Sequence, residues 1–353
     1  MFLLEVTFLR SQQEPRLLSF YSQDDDMINN YKNNRDLYAL IGSRVYHNKY
    51  EDNLEFVNGV RSEDGAKRRS NMKTLLLGIM YGMSPNGIAN KIGCDTKEAE
   101  GILNDFYDGF PKVRKWTDET IASAHKCGYV KDWYGRRRRL PTLLVPKFTI
   151  KLLNNDKEAN FNPFIGCANR EIDDETLNKY QEKLDRAKWY KDIKAIKDQA
   201  FAEGVSIVNN NVLINRAERQ CVNARIQGGA ATMTKVAMIK IYNDEEMQRL
   251  GFKLLIGVHD ELIGECPEEN AQKCADRLSY LMKTCIEDKC NVPFKCDASI
   301  VKRWYEDVYQ SSLEKELNDY MDKGKLSKED AFDKLVEEHQ ESTKEYLKTL
   351  LGV

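Results

Sequence analysis

The 353-residue sequence lacks any run of eighteen apolar residues, so no transmembrane helix is expected. It also lacks a charge imbalance. Its 54 Lys+Arg stand against 56 Asp+Glu, a formal net charge of -2, and the whole chain announces no polyanionic partner. Such a partner has to be argued from local clusters. Nine cysteines occur without a Cys-x-x-Cys pair, and the closest two in sequence, Cys285 and Cys290, have no histidine nearby. A zinc site is therefore not expected, and dispersed thiols in odd number fit a reduced, cytoplasmic protein. The opening MFLLEVTFLR has no basic segment before its apolar residues and no small-residue cleavage site after them, so it is a poor secretory signal. Internal repeats and low-complexity linkers are missing as well.

What is present is enough chain for roughly two domains with a sizeable core. From Asp36 to His125 the pattern is mainly helical, punctuated by Gly82, Pro85, Gly93 and Pro111. A short β-like segment begins at Gly128-Tyr129-Val130, and Tyr134-Gly135 turns it into Arg136-Arg137-Arg138-Arg139-Leu140-Pro141. Residues 142–208 are charged and partly helical, and read as an insertion between better-patterned segments. A long helical pattern from Asn215 to Glu246 follows, then a hairpin pattern, a helix over 268–287 and the extended "VPFKCDASIVKRWYED". From Leu313 onward, sparse leucines among many charges predict one or two solvated helices packing weakly on the body or on a partner. The fold class is helix-rich α+β with a small antiparallel sheet.

Four segments carry chemistry. In "KRRSNMKTLLLGIMYG", a helix over Ala66–Tyr81 sets Arg69, Lys73, Leu77 and Tyr81 along one side. Two cations one turn apart repel unless an anion bridges them, and a triphosphate suits a fork beside a point charge. The ring of Tyr81 beside the bare backbone of Gly82 suits stacking near a base. A solvated basic face ending in a glycine cap explains the same segment equally well. In "ERQCVNARIQGGAATMTKVAM", Arg219, Asn223 and Gln227 form a polar stripe opposite Val222, Ile226 and Ala230. Such donors reach minor-groove acceptors common to all base pairs. A hydrated face is the plain alternative, against which stands Gly228-Gly229-Ala230-Ala231, small enough for another backbone to approach. In "GYVKDWYGRRRRLP", four consecutive arginines fit phosphate contacts better than a core, a solvated loop being the other reading. In "FKLLIGVHDELIGECP", two β-prone runs flank His259-Asp260-Glu261, poor turn chemistry that puts two carboxylates side by side. A divalent metal would remove their repulsion, whereas an isolated triplet reads as an exposed acidic turn.

Together and in this order, the four segments resemble the polymerase core of family A DNA polymerases, the DNA polymerase I type, with the look of bacteriophage replicative members. The resemblance runs from about Ser11 to about Asp307. It implies that Arg69 and Lys73 hold an incoming triphosphate and that Tyr81 lies by the insertion site. Leu77 stands where the family has an aromatic residue. It implies primer and template contacts for Arg219, Asn223 and Gln227, DNA contacts for Gly82 and for Arg136, Arg137 and Arg138, and catalysis by His259, Asp260, Glu261 and Lys73, with Asp260 as the ligand of Mg2+. From "SQQEPRLLSFYS", Glu14 would crowd a ribose 2′-OH. The family's second metal-bridging Asp falls two residues before Ser11, where this chain has Leu9.

The resemblance divides the chain into a non-family start at 1–10, a partial palm at 11–35, fingers at 36–141, the insertion at 142–208, palm at 209–308 and a charged helical tail at 309–353. No thumb or 3′–5′ exonuclease segment is expected within it. The implied function is template-directed transfer of nucleotides from dNTPs to a primer 3′-OH, with primer–template DNA and dNTPs as partners. With Leu9 in the Asp position, severe loss of activity is expected for the chain alone. A gene split or interrupted by an intron near Ser11 would explain the start, and would make the upstream thumb and exonuclease part a further partner. The competing expectations are a catalytically inactive fragment that still grips DNA, and a helical interaction protein built around the tail.

Overall fold

The computed structural model describes residues 2–7, 12–152, 172–258, 261–301, 306–339 and 344–352. Strand β1 (Phe2–Thr7) leads into helices α1 (Gln13–Ser22), α2 (Asp25–Lys32) and α3 (Leu37–Val45). A minimal hairpin, β2 (Phe56–Val57) and β3 (Val60–Arg61), precedes α4 (Glu63–Met80), α5 (Pro85–Ile92), α6 (Thr96–Gly109) and α7 (Pro111–Cys127). A second hairpin pairs β4 (Tyr129–Lys131) with β5 (Arg137–Arg139). Then come β6 (Phe148–Leu152), α8 (Asp174–Arg186), α9 (Tyr190–Ala202) and β7 (Val205–Asn209). The 32-residue helix α10 (Asn211–Tyr242) and α11 (Glu245–Arg249) precede β8 (Lys253–Val258), β9 (Glu261–Cys266), α12 (Ala271–Lys283) and β10 (Asp297–Val301). The chain closes with α13 (Glu306–Gly324), α14 (Lys328–His339) and α15 (Lys344–Leu351).

Helix starts follow local chemistry. Asp24, Asp36, Ser62, Ser84, Asp95, Asp173 and Asp244 each stand in extended backbone and accept an N–H of the first turn, which satisfies a donor the helix cannot. The stops for α5 and α7 come at Gly93 and Gly128, as the punctuation of the sequence predicts.

Contacts divide the chain into two units. Residues Glu14–Ala230 form one, Met1–Gln13 with Ala231–Val353 the other, and α10 runs through the boundary. In the first unit, Leu17, Met27, Leu37, Ile41, Met72, Leu75, Phe106 and Phe110 are fully buried among the helices. Within this unit, the described parts of the segment read as an insertion, 142–152 and 172–208, are folded. Antiparallel β6 and β7 pack with α8 and α9 around Phe148, Ile150, Tyr180, Leu184, Val205 and Ile207. Glu203 accepts from Lys179, Tyr180 and Gln199, and these contacts hold its carboxyl at about 2.

The second unit is built on a four-stranded antiparallel sheet in the order β10-β1-β9-β8. Strand β9 is almost wholly buried and α12 lies against β1 and β10, whereas the edge strand β8 is half exposed and bulged between Leu254 and Ile256. Residues Phe2–Thr7, set apart by their sequence from every family motif, are thus an inner strand paired on both sides. The tail also differs from expectation. Its three helices share a core of Leu313, Leu317, Ala331, Phe332, Leu335, Val336 and Leu347, so the sparse leucines meet one another instead of leaning weakly on a body.

Eight cysteines lie among the described residues, all free thiols. Burial pushes Cys274, Cys285 and Cys296 up to about 12 and Cys290 to about 11. Thiolate, the reactive form, is therefore scarce at these positions. Iodoacetamide at pH 8 is expected to label the exposed Cys127 in the native chain and to spare these four until urea unfolds it, as read by peptide mass spectrometry.

Candidate nucleotide and nucleic-acid site

The first unit brings three separately recognised segments to one hydroxyl. Helix α4 ends at Tyr81, whose side chain is 40% exposed. Its hydroxyl donates to Glu14 Oε2 at 2.8 Å, in the first turn of α1, and the Gln227 side chain of α10 donates to it. Desolvation, then the Glu14 contact, push the Tyr81 phenol up to about 12. Residues 67 positions apart in sequence are locked by this bond.

The next residue lets the end of α4 close on the body of α10. Gly82 has φ of 64°, in the left-handed region, and a Cβ there would lie 2.5 Å from the Cβ of Arg219. The α4 terminus therefore rests directly on the first residue of the α10 polar stripe. Along that stripe Arg219 and Gln227 are exposed and Asn223 partly so, with Val222, Ile226 and Ala230 buried behind them. Gly82 acts here as a seat for Arg219.

Arg69 and Lys73 have different fates. Arg69 donates through Nε to Asp36 Oδ2 at 2.8 Å and lies 5.3 Å from the Tyr38 ring centre. Asp36 already caps α3 through its other oxygen, so one carboxylate neutralises Arg69 and anchors a helix start. A counter-anion for Arg69 is thus supplied from within, 33 residues away, but it does not bridge to Lys73. Lys73 is exposed and, among the described residues, has no ion-pair partner. Leu77 is partly buried on the same helix.

Arg137, Arg138 and Arg139 form β5 and Arg136 ends the turn before it, all four exposed. Asp132 organises the turn by accepting from the backbones of Tyr134 and Arg136. Trp133 bolts the hairpin to α10: its Nε1 donates to Gly229 O at 2.8 Å, and its backbone N–H donates to the Tyr21 hydroxyl, which in turn donates to Arg225 O. A Cβ on Gly229 would meet that hydroxyl at 2.7 Å, so the small-residue run admits side chains where the sequence led us to expect a backbone. Sequence reasoning missed the adjoining stack, in which the Arg225 guanidinium lies over both Tyr21 and Trp116 at 4.7 and 5.1 Å. Arginine and aromatic residues this dispersed carry no readable spacing.

In the second unit, Val258 pairs with Glu261 and Glu261 with Thr7. The chain leaves β1 and enters β9 at the same end of the sheet. Glu261 is 4% exposed, a strand residue and not the tip of a turn as expected. His259, Asp260 and Leu9 lie outside the described residues. Among the described residues no cluster of three or more His, Cys, Asp or Glu is arranged to hold a metal.

A helix ending in Tyr-Gly beside a carboxylate and a polar helical stripe, an arginine hairpin and a four-stranded antiparallel sheet define the polymerase fingers-and-palm class. The chain belongs to DNA polymerase family A, whose model matches residues 6–306. That match starts five residues ahead of Ser11, where the motif resemblance begins, and so takes in the end of β1. The chain is 25% identical to DNA polymerase I of Streptococcus pneumoniae strain R6 over 84% of its own length and 25% of that protein's. It is 25% identical to the thermostable DNA polymerase I of Thermus aquaticus, over 83% and 26%, and 27% identical to DNA polymerase theta of Drosophila melanogaster, over 84% and 11%. It thus spans about a quarter, or less, of these relatives. The polymerase domain of Pol1 from M. smegmatis, solved with primer–template DNA and dNTP, superposes with a TM-score of 0.59 at 21% identity, over 86% of this chain and 40% of that one.

Two outcomes follow. Gly82→Ala forces a left-handed non-glycine residue against Arg219, and should lower unfolding stability by about 1–3 kcal/mol, read as a shifted urea midpoint at constant slope. The Tyr81 phenol binds its proton more tightly folded than unfolded, since about 12 exceeds the ordinary 10.0. Its stabilising share is therefore complete below pH 10 and lost as pH climbs toward 12. Tyr81→Phe should make the alkaline fall of the urea midpoint shallower without abolishing it, because Tyr38 and Tyr180 are also raised to about 12.

Proposed function

We propose that this chain forms the nucleotide-selecting and template-gripping part of a DNA polymerase, acting in transfer of a nucleotide from a dNTP to a primer 3′-OH. The observation that carries the reading is the single junction of Glu14, Tyr81 and Gln227, where elements from three distant segments surround one exposed ring. Family membership and the DNA- and dNTP-bound state of the Pol1 polymerase domain support it.

Each residue has a physical task. Lys73, exposed and unpaired among the described residues, offers a point charge to a triphosphate; Arg69 joins only as far as the triphosphate competes with Asp36. Glu14, held in place by Tyr81, puts a carboxylate where an additional sugar hydroxyl would meet it. Arg219, Asn223 and Gln227 give a row of donors for base-pair edges, and Arg136, Arg137 and Arg138 give phosphate contacts without reading sequence.

Mg2+ is the cofactor of this reading, and Asp260 its ligand. The donor set does not fit a two-ion site, because Leu9 offers hydrocarbon where a second bridging carboxylate is required and Glu261 is a buried strand residue. The second reading, a DNA-gripping chain with little or no catalysis, rests on that same Leu9.

Primer extension with Mg2+ and dNTPs, alongside primer–template binding across a salt series, tests both. Salt-dependent binding with extension barely above background is expected for the chain as it stands, and Leu9→Asp is expected to raise extension on the order of 10²-fold. Full extension by the parent chain would remove the second reading. Binding that ignores salt, with no extension in either form, would remove both.

A further inference from the structure

Helix α9 of the insertion has two faces of different chemistry. Ile193, Ile196 and Ala200 turn inward onto the module's own core. On another face Tyr190, Lys194, Lys197 and Phe201 recur at i, i+4, i+7 and i+11, the spacing of one helical stripe. Tyr190 is 81% exposed and Phe201 67%. Trp189, in extended backbone just before the helix, is 73% exposed. Three large rings left in water at one short helix mark a contact surface.

The charges between the rings select the occupant. From Lys188 to Phe201 the segment holds four lysines and two acidic residues, Asp192 and Asp198, a net charge of +2, with Asp198 exposed one turn after Lys194. Asp192 is engaged with the helix start, accepting the Trp189 N–H at 3.1 Å, and stands on the far side of α9 from Tyr190. Among the described residues Lys188, Lys191, Lys194 and Lys197 have no ion-pair partner, whereas on α8 Lys179 pairs with Glu203 and Arg186 with Glu182. An apolar protein groove would gain nothing from four free ammonium groups. A protein partner would have to set an acidic rim around an apolar centre to engage both. A single strand of nucleic acid uses both, stacking unpaired bases on the rings and setting phosphates on the lysines, while a duplex has no free base faces to offer. Tyr190 and Phe201 stand about 16 Å apart along the helix, room for a few nucleotides.

We propose that Trp189 and the exposed face of α9 form a docking ridge for single-stranded DNA. The single-strand assignment stands on α9 alone; the choice of DNA over RNA rests on the polymerase reading above.

Oligo(dT) titrated into the full chain tests it, since the assay reads binding and is indifferent to nucleotidyl transfer. Tryptophan emission should be quenched, and Trp189→Phe should remove most of that quench while keeping affinity within about threefold. The combined Trp189→Ala, Tyr190→Ala and Phe201→Ala variant should bind oligo(dT) about tenfold more weakly or worse. Lys191→Gln, Lys194→Gln and Lys197→Gln together should flatten the slope of log K against log salt by about 2. Affinity for blunt duplex DNA should be unchanged in the aromatic variant, and the urea midpoints of both variants should match the parent because the altered side chains are largely exposed. Oligo(rU) bound more tightly than oligo(dT) by the same residues would overturn the choice of DNA. Parent-like oligo(dT) affinity in the aromatic variant would overturn the ridge itself. So would an equal loss on blunt duplex, or a self-association of the parent that the aromatic variant abolishes while oligo(dT) binding stays intact.

Discussion

Where Gly82 meets Arg219, α4 and α10 stand closer than any Cβ permits, and the first unit is arranged around that contact and its counterpart at Gly229. Both lie along α10, the helix that carries the polar stripe. The first seats the Tyr81 terminus, and so puts the phenol within reach of Glu14 and Gln227. The second admits Tyr21 and Trp133, and so fixes the arginine hairpin against the same helix. Space, rather than any single hydrogen bond, sets these distances. The polar contacts then hold what the small residues allow.

Charge in this unit is managed at two levels. Arg69 is neutralised internally by Asp36, at a position where neither partner is fully exposed, so the pair serves structure and would have to open for a triphosphate. Lys73 and the α9 lysines, by contrast, have no ion-pair partner among the described residues, and the hairpin arginines are exposed. That contrast, more than the near-zero net charge, describes how a chain of balanced composition presents cationic surfaces.

Much of the site was readable because its signals are local. The α10 stripe, the Tyr-Gly helix end and the β4–β5 turn each follow from residues within a few positions of one another, and all stand as read. The misses share the opposite cause. Asp36 reaches Arg69 across 33 positions, Phe2–Thr7 finds partners near both residue 263 and residue 299, and the tail leucines find each other between helices. No periodicity within a window reports such pairings. Glu261 was misplaced for a related reason: the polar triplet suggested a three-residue turn, and only the ladder shows Glu261 already paired with Val258 and Thr7.

The sequence alone determined seven helix starts through Asp and Ser caps, the two stops at Gly93 and Gly128, and the order of motifs that marks the family, whereas α10 and α12 begin and end some residues away from their patterns. It also determined the donor chemistry, including Leu9, since a side chain's ligating capacity does not depend on where it folds. Only the tertiary structure decided which cations are free and which are spent, and which strand completes the sheet. It alone decided that one tyrosine hydroxyl would join α1, α4 and α10. These are outcomes of close packing between segments far apart in the chain, where a missing Cβ or a single carboxylate settles the arrangement and local propensity has no say.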